Sequence, residues 1–286
     1  MIVAVRRALQ KGLWSISSVC ERFHVKRNAY YKLLRTQAKY RETSDKLLAF
    51  VKERRKDQSR EGCRKIHQAM LEDTQMQGLK IGRDKLFDIL RERNMLVRKK
   101  RSFVKTTDSN HHFRRYVNKI KGLKIVRPNQ VWVSDITYIR LTHGFCYLAL
   151  ITDAYSRKIV GYDVSDTLEL AGCLGAFKRA QKAARPAVGL IHHSDRGSQY
   201  CSNVYVAELK KHKVNISMTQ ENHCYENAMA ERVNGILKDE FYLDQCFSNL
   251  SLARKACESA IKIYNTKRLH LSLGYKTPEQ VYKMCA

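Results

Sequence analysis

The sequence predicts two regions of different architecture: an all-α front of helix-turn-helix type, and an α/β rear half with a mixed five-stranded sheet and flanking helices. Three observations predict it. Apolar residues recur at helical spacing through the front, strand-like runs of β-branched and aromatic residues begin at Val131, and charge divides between the same two regions. Of the 54 basic and 27 acidic side chains, residues 1 to 127 hold 34 and 12, a balance of +22 that leaves only +5 for the rest. An excess so large and one-sided predicts a polyanionic partner for the front, and a different task for the rear.

Composition narrows the class further. The longest apolar run, Phe145 to Ile151, is far too short to span a bilayer, and the opening residues lack the long apolar stretch of a secretory signal, so a cytoplasmic protein without membrane contact is expected. The nine cysteines are odd in number, scattered and never two residues apart, which favours free thiols in a reducing compartment over disulfides or a zinc knuckle.

In the front, Ile16, Val19, Cys20 and Phe23 fall on one helical face, Val25 sits at a turn, and Tyr30, Leu33 and Leu34 form a second face. That is helix-turn-helix spacing, although a plain helical hairpin shares it, and the second helix would offer Lys26, Arg27, Asn28 and Lys32 to DNA. A new helical segment is expected to open with Leu47, Leu48 and Val51. Stripes at Ile66, Met70 and Leu71 and at Leu86, Ile89 and Leu90 then form a second DNA-binding unit. Arg98, Lys99, Lys100 and Arg101 close it with four consecutive positive charges and begin an extended linker able to track phosphates, with His111 and His112 as polar linker residues. The expected organisation is a helix-turn-helix-like segment over 1–45, a second helical unit over 46–97, a basic linker over 98–127 and a catalytic domain over 128–286.

From Val131 the runs "VWVSDITYIR", "FCYLALIT" and "RKIVGYDV" read as three strands joined by short turns. A helix from Glu169 to Ala184, a strand from Val188 to His192, a helix from Asn203 to Lys213, the strand "VNISM" and long helices from Tyr225 and Ser251 follow. This is the element order of a ribonuclease H-like domain, and fold alone does not give function.

The acidic residues carry the functional reading. Asp135 lies within the first strand, where packing does not explain a charge; Asp195 follows the fourth; Glu231 lies in a helix with Lys238 seven residues on along the same face. Converging carboxylates repel one another unless cations intervene, and an all-oxygen donor set suits magnesium. Two such ions serve in-line displacement at phosphorus. Other acidic residues are weaker candidates: Glu226 lies near the helix start, Glu240 is rotated off the face of Glu231, and Asp153 reads as a turn residue tied to Ser156 or the backbone. His192 and His193 read as strand-end packing and DNA-facing residues and not as catalysts. Asn227 either orients Glu231 or caps its helix.

The blocks "WVSDITYI", "HSDRGSQY", "CYENAMAERVNGILKDE" and "YNTKRLHLSLGYKTPEQVY" together resemble the catalytic reading-frame product of bacterial insertion-sequence transposases, with a retroviral-integrase-like DDE core. The front segments "VCERFHVKRNAYYKLLR" and "GCRKIHQAM" are similar to that family too, so the resemblance covers nearly the whole chain. It implies that Asp135, Asp195 and Glu231 are catalytic and bind magnesium, as two ions with manganese able to substitute, and that Lys238 contacts DNA. It further implies 3′-end cleavage and strand transfer, an oligomer on DNA, a nucleoid-associated location, and a companion reading-frame product or a frameshift fusion. Glu221, Asn222 and His223 stand where relatives often have a glycine, and the zinc-binding His and Cys pairs of retroviral integrases are absent. A nuclease that only hydrolyses and a non-catalytic repressor are the competing readings.

Overall fold

A computed structural model describes residues 15–97, 112–220 and 227–284. The chain forms two compact units, residues 1–56 with 69–96 and residues 57–68 with 97–286.

In the first unit, α1 (Ile16–Arg22) starts at Ser15, whose Oγ accepts from the Ser18 backbone N–H at 3.1 Å. The chain turns at His24, which adopts a left-handed φ of 52°, and Val25 N–H returns to the Cys20 carbonyl at 2.8 Å. Val19, Cys20 and Tyr30 are buried together, with Ile16, Phe23, Val25 and Leu34 packed around them. The expected helical hairpin is present, but its second helix, α2 (Arg27–Asp57), runs for 31 residues without a break. The segment expected to open at Leu47 is therefore the same helix, and the boundary expected after residue 45 falls inside it. No glycine or proline interrupts residues 27–57, and nothing else in that span ends a helix. Helix α3 (Cys63–Glu72) begins in the second unit and ends in the first, and α4 (Arg83–Glu92) lies in the first; Met70, Leu86, Ile89 and Leu90 are buried, while Leu71, expected on the same stripe as Met70, is 56% exposed.

The second unit is built on a sheet of order β3-β2-β1-β4-β5, from β1 (Val131–Arg140), β2 (Phe145–Asp153), β3 (Ile159–Ser165), β4 (Ile191–Ser194) and β5 (Asn215–Met218). The first three strands are antiparallel neighbours, while β4 and β5 run parallel to β1. A parallel return needs a crossover, supplied by α5 (Leu170–Ala184) before β4, and by α6 (Ser198–Cys201) and α7 (Asn203–Lys211) before β5. Helices α8 (Ala228–Glu240), α9 (Leu250–Thr266) and α10 (Pro278–Met284) complete the unit.

Side-chain alternation sends Trp132, Ala149 and Ile151 to a core with Phe177 and Tyr205, and Ile139, Leu148 and Leu150 to a second core with Leu237, Ile261 and Tyr264. Both faces are covered, so β2 reads as an almost continuous apolar run.

Two expectations shift here. The fourth strand starts at Ile191 and not Val188: Gly189 adopts φ +99° in a turn, and Val188 is 75% exposed. The later part of the expected linker belongs to this unit, because Phe113 and Tyr116 pack on the first core and Ile120 and Ile125 pack beside Val131 and Val133.

Candidate active site

Asp135 is the central residue of β1, and its position follows from register. The parallel ladder between β1 and β4 ends at Ser134 opposite Ser194, so Asp135 and Asp195 are the next residues along two neighbouring strands. Adjacent strands lie about 4.8 Å apart, which brings the two carboxylates to the same mouth of the sheet. The Asp135 carboxylate is held at both oxygens: Oδ1 accepts from Ile136 N–H at 2.9 Å and Oδ2 from Asn234 Nδ2 at 2.8 Å. Burial, and then the charge of Asp195, push its pKa up to about 7, with Glu231 adding in the same direction and the two hydrogen bonds opposing.

Asp195 opens the loop after β4, and its Oδ1 accepts from Gly197 N–H at 3.0 Å. A Cβ at Gly197 would lie 3.1 Å from that oxygen and 3.2 Å from Gln199 Oε1, so a side chain there would make both side-chain ends shift by a few tenths of an ångström. Glu231 lies in the first turn of α8, where the helix dipole favours an anion. Burial and the charge of Asp195 raise its pKa. The three predicted carboxylates thus act on one another electrostatically. Among the described residues, however, no three His, Cys, Asp or Glu side chains are gathered into a ready metal shell. The donor set is entirely oxygen, and its mutual repulsion is what a hard cation would relieve, so these residues fit magnesium chemically.

Around the carboxylates the structure sorts the remaining candidates. Lys238 Nζ sits 4.2 Å from the Tyr138 ring centroid. Burial lowers its pKa, while the charges of Asp135 and Asp244 oppose that shift. Asp153 is the expected turn residue: Oδ1 accepts from Ser156 N–H and Oγ–H at 2.8 and 2.6 Å, and Oδ2 from Asn129 N–H at 2.7 Å. Glu240 points away from the site and pairs with Arg268 and Lys65.

His192 and His193 are fully buried, in keeping with strand-end packing and contrary to a DNA-facing role. His192 Nε2 bonds Ser134 Oγ at 2.7 Å and the Tyr205 hydroxyl at 3.0 Å, and His193 Nδ1 bonds Ser217 Oγ at 2.9 Å. Asn227 makes no side-chain cap, and its Nδ2 donates instead to the Ser134 carbonyl at 3.3 Å. Asn234 was not anticipated from sequence, although its spacing of three from Glu231 puts both on one helix face. Lys26, Arg27, Asn28 and Lys32 are exposed in the first unit. Arg98, Lys99, Lys100 and Arg101 lie outside the described residues, as do His111 and Glu226.

The Integrase core domain family matches residues 126–224, and a second family of the same description matches residues 212–278. The chain is 35% identical over 278 residues to the insertion element IS600 uncharacterized 31 kDa protein of Shigella sonnei, covering 94% of this chain and 100% of that one. It is 38% identical to the transposase for insertion sequence element IS629 of Shigella sonnei, over 55% of this chain and 53% of the relative. To transposase InsF for insertion sequence IS3A of Escherichia coli it is 36% identical, over 54% of each chain. This chain therefore spans the full length of the first relative and about half of the other two. Among solved structures it is similar to the HTLV-2 integrase catalytic core domain in complex with magnesium (TM-score 0.46, 19% identity, 56% of this chain and 99% of that one). It is also similar to the simian T-cell lymphotropic virus intasome (TM-score 0.48, 15% identity, 72% and 69%). With identity running the full length of an insertion-element protein, and integrase-core matches running consecutively through the α/β unit, the chain belongs to the bacterial insertion-sequence transposases with an integrase-like core, polynucleotidyl transferases of the DDE type.

Proposed function

We propose that this chain carries out 3′-end cleavage and strand transfer of an insertion sequence, with Asp135, Asp195 and Glu231 as the catalytic carboxylates. The observation that carries this reading is the placement of Asp135 and Asp195 at the ends of one parallel ladder, with Glu231 acting on Asp195 from the start of α8. The same three carboxylates would hold magnesium, as two ions with manganese able to substitute, and the chemistry so supplied is activation of the attacking oxygen and stabilisation of the leaving one at phosphorus. Asn234 fixes the orientation of the Asp135 carboxylate. Lys238, beside Asp135, supplies positive charge to the DNA backbone near the reacting phosphate. Lys26, Arg27, Asn28 and Lys32 on the helical front, with Arg98, Lys99, Lys100 and Arg101, hold the element ends. The chain works as an oligomer on DNA, with a companion reading-frame product or as a frameshift fusion.

The test is a strand-transfer assay with purified protein, magnesium and labelled duplex carrying the terminal repeats that flank the coding frame. Joined products from the wild-type chain that vanish in Asp195→Asn support the assignment. Nicked but never joined products would replace it with a nuclease, and tight binding without cleavage, even with a companion product added, would replace it with a repressor.

A further inference from the structure

Strands β1 and β2 run on past the end of β4, which stops opposite Ser134, whereas β1 continues to Arg140 and β2 begins at Phe145. Register fixes what this overhang displays. Arg140 pairs with Phe145 and Tyr138 with Tyr147, and cross-strand partners share a face, so these four side chains stand on one side of the ribbon. Further along the same face Ala149 and Ile151 are covered in the core with Phe177 of α5. At the overhang that cover has ended. Phe145 is 45% exposed, Arg140 is exposed, and Tyr138 and Tyr147 are half-buried. The rings of Tyr138 and Phe145 meet edge to face, with centroids 5.4 Å apart and planes at 83°. Lys238 sits against the Tyr138 ring and also acts on Asp135 and Asp244, so the aromatic pair and the carboxylate site share one cation.

A single exposed phenylalanine needs no explanation. One held edge-on by a tyrosine, paired across the strands with Arg140 and with Lys238 seated on the tyrosine's ring, is a different object. We propose that Phe145, backed by Tyr138 and flanked by Arg140 and Lys238, is a stacking platform for an unpaired base of the DNA strand whose phosphate lies at Asp135 and Asp195. The proposal rests on the transposase reading and adds to it a requirement for a locally opened DNA end. Only an unpaired base presents a free π-face, and aromatic stacking beside cations that follow the backbone is how unpaired strands are held without sequence preference. At about 3.3 Å per strand residue, Tyr138 and Arg140 lie roughly 10 and 17 Å along β1 from Asp135, which alternation places on the opposite face with Leu150. The DNA strand therefore reaches the platform over the edge of β1 that β4 leaves unpaired beyond Ser134, where Lys238 meets the Tyr138 ring. With about 3.4 Å per nucleotide along one strand of a duplex, the platform reaches a base within roughly five nucleotides of the reacting phosphate.

The experiment uses the full chain and uncut duplexes carrying the flanking terminal repeats, with 2-aminopurine at each of about five positions on either side of the cleavage point. Each duplex is prepared fully paired and with a forked end, and fluorescence is read without magnesium. The expected result is quenching at one or two positions, and forked DNA bound about 10-fold more tightly than paired DNA. Phe145→Ala and Phe145→Leu lose both effects, Phe145→Trp keeps both, and the leucine variant keeps the wild-type melting temperature. Absence of quenching at every position, or quenching that persists in Phe145→Ala, overturns the platform. So does a Phe145→Ala variant that sediments differently with unchanged quenching, because the ring would then serve a protein contact. Failure of the wild-type chain to join DNA once magnesium and any companion product are added would instead overturn the transposase reading, and that outcome is read separately from quenching.

Discussion

Replacing Glu240 by glutamine should destabilise the second unit by several kcal/mol, although the residue takes no part in the site. Glu240 Oε1 and Oε2 accept from Arg268 Nη2 and Nε at 2.7 and 2.9 Å, and Lys65 Nζ donates to the same carboxylate at 2.7 Å. The Arg268 and Lys65 side chains are only 5% and 9% exposed, so solvent cannot take over from the lost charge. Removing one partner from such a cluster costs about 3–5 kcal/mol because the cations stay buried. For a unit of this size that is a fall of roughly 10 °C in melting temperature, read by circular dichroism.

The sign with pH is fixed as well. Burial pushes the Glu240 carboxyl up, but the hydrogen bonds and charges of Arg268 and Lys65 outweigh it, leaving the pKa below 4.5. The stabilisation is therefore complete above the ordinary carboxylate range and is lost as pH falls through the depressed value, so the gap between wild type and Glu240→Gln should close in acid. A triple variant with Lys65→Met, Glu240→Leu and Arg268→Met should recover part of the loss, since apolar replacement of a buried ion group is often neutral while Glu61, buried and acting on Lys65, keeps its charge. A loss below about 1 kcal/mol in the single variant, or a triple variant as unstable as the single, would refute this account of the cluster.

Three further outcomes follow from other contacts. Asn234→Ala, which frees Asp135 Oδ2, should slow strand transfer about 10- to 100-fold and raise the magnesium requirement without changing the melting temperature much, measured as joining rate against magnesium concentration. Gly161→Ala should destabilise by at least about 1–3 kcal/mol in denaturant unfolding, because its Cβ would lie 2.6 Å from Ala180 Cβ and 2.9 Å from Ala180 N, where β3 approaches α5. Burial, and then the nearby His193, hold His192 neutral with a pKa of about 3 against 6.5, so its stabilisation is present above pH 6.5 and lost as pH falls toward 3; stability measured from pH 7 to 5 should decline less steeply in His192→Asn than in wild type.

How much of this was legible in the sequence depended on whether the relevant force is local. β1, β2 and β3 were readable because β-branched runs and short turns announce themselves within a few residues, and Asp153 declared its turn through Ser156 in the same way. Asp135 was visible because a charge amid a buried strand has no packing explanation. The length of α2 was not, because its charged residues carry no apolar rhythm to show that one helix continues from Tyr30 to Val51. The packing of His192 and His193 was legible but their full burial on hydroxyls was not, because Ser134, Tyr205 and Ser217 are distant in sequence. Asn227 and Asn234 offer the same lesson. Both amides serve β1, and β1 is more than 90 residues away.

The position of the site follows from a mismatch in strand lengths. β1 has ten residues and β4 only four, so beyond Ser134 the central strand has no described parallel neighbour, and the crevice there opens at the carboxyl end of β4. Ligands of open α/β sheets bind at such places, where the connection reverses direction across the sheet. Each carboxylate is then tolerated for a different local reason. Asp135 has a backbone N–H and the Asn234 amide, Asp195 has the Gly197 N–H, and Glu231 has the amino end of α8. These supports hold the carboxylates in place, while burial and the charges of Asp195 and Glu231 still push the Asp135 pKa up. The repulsion that remains among the three carboxylates is what a hard cation would relieve, which is why the proposed chemistry is placed at this end of the sheet.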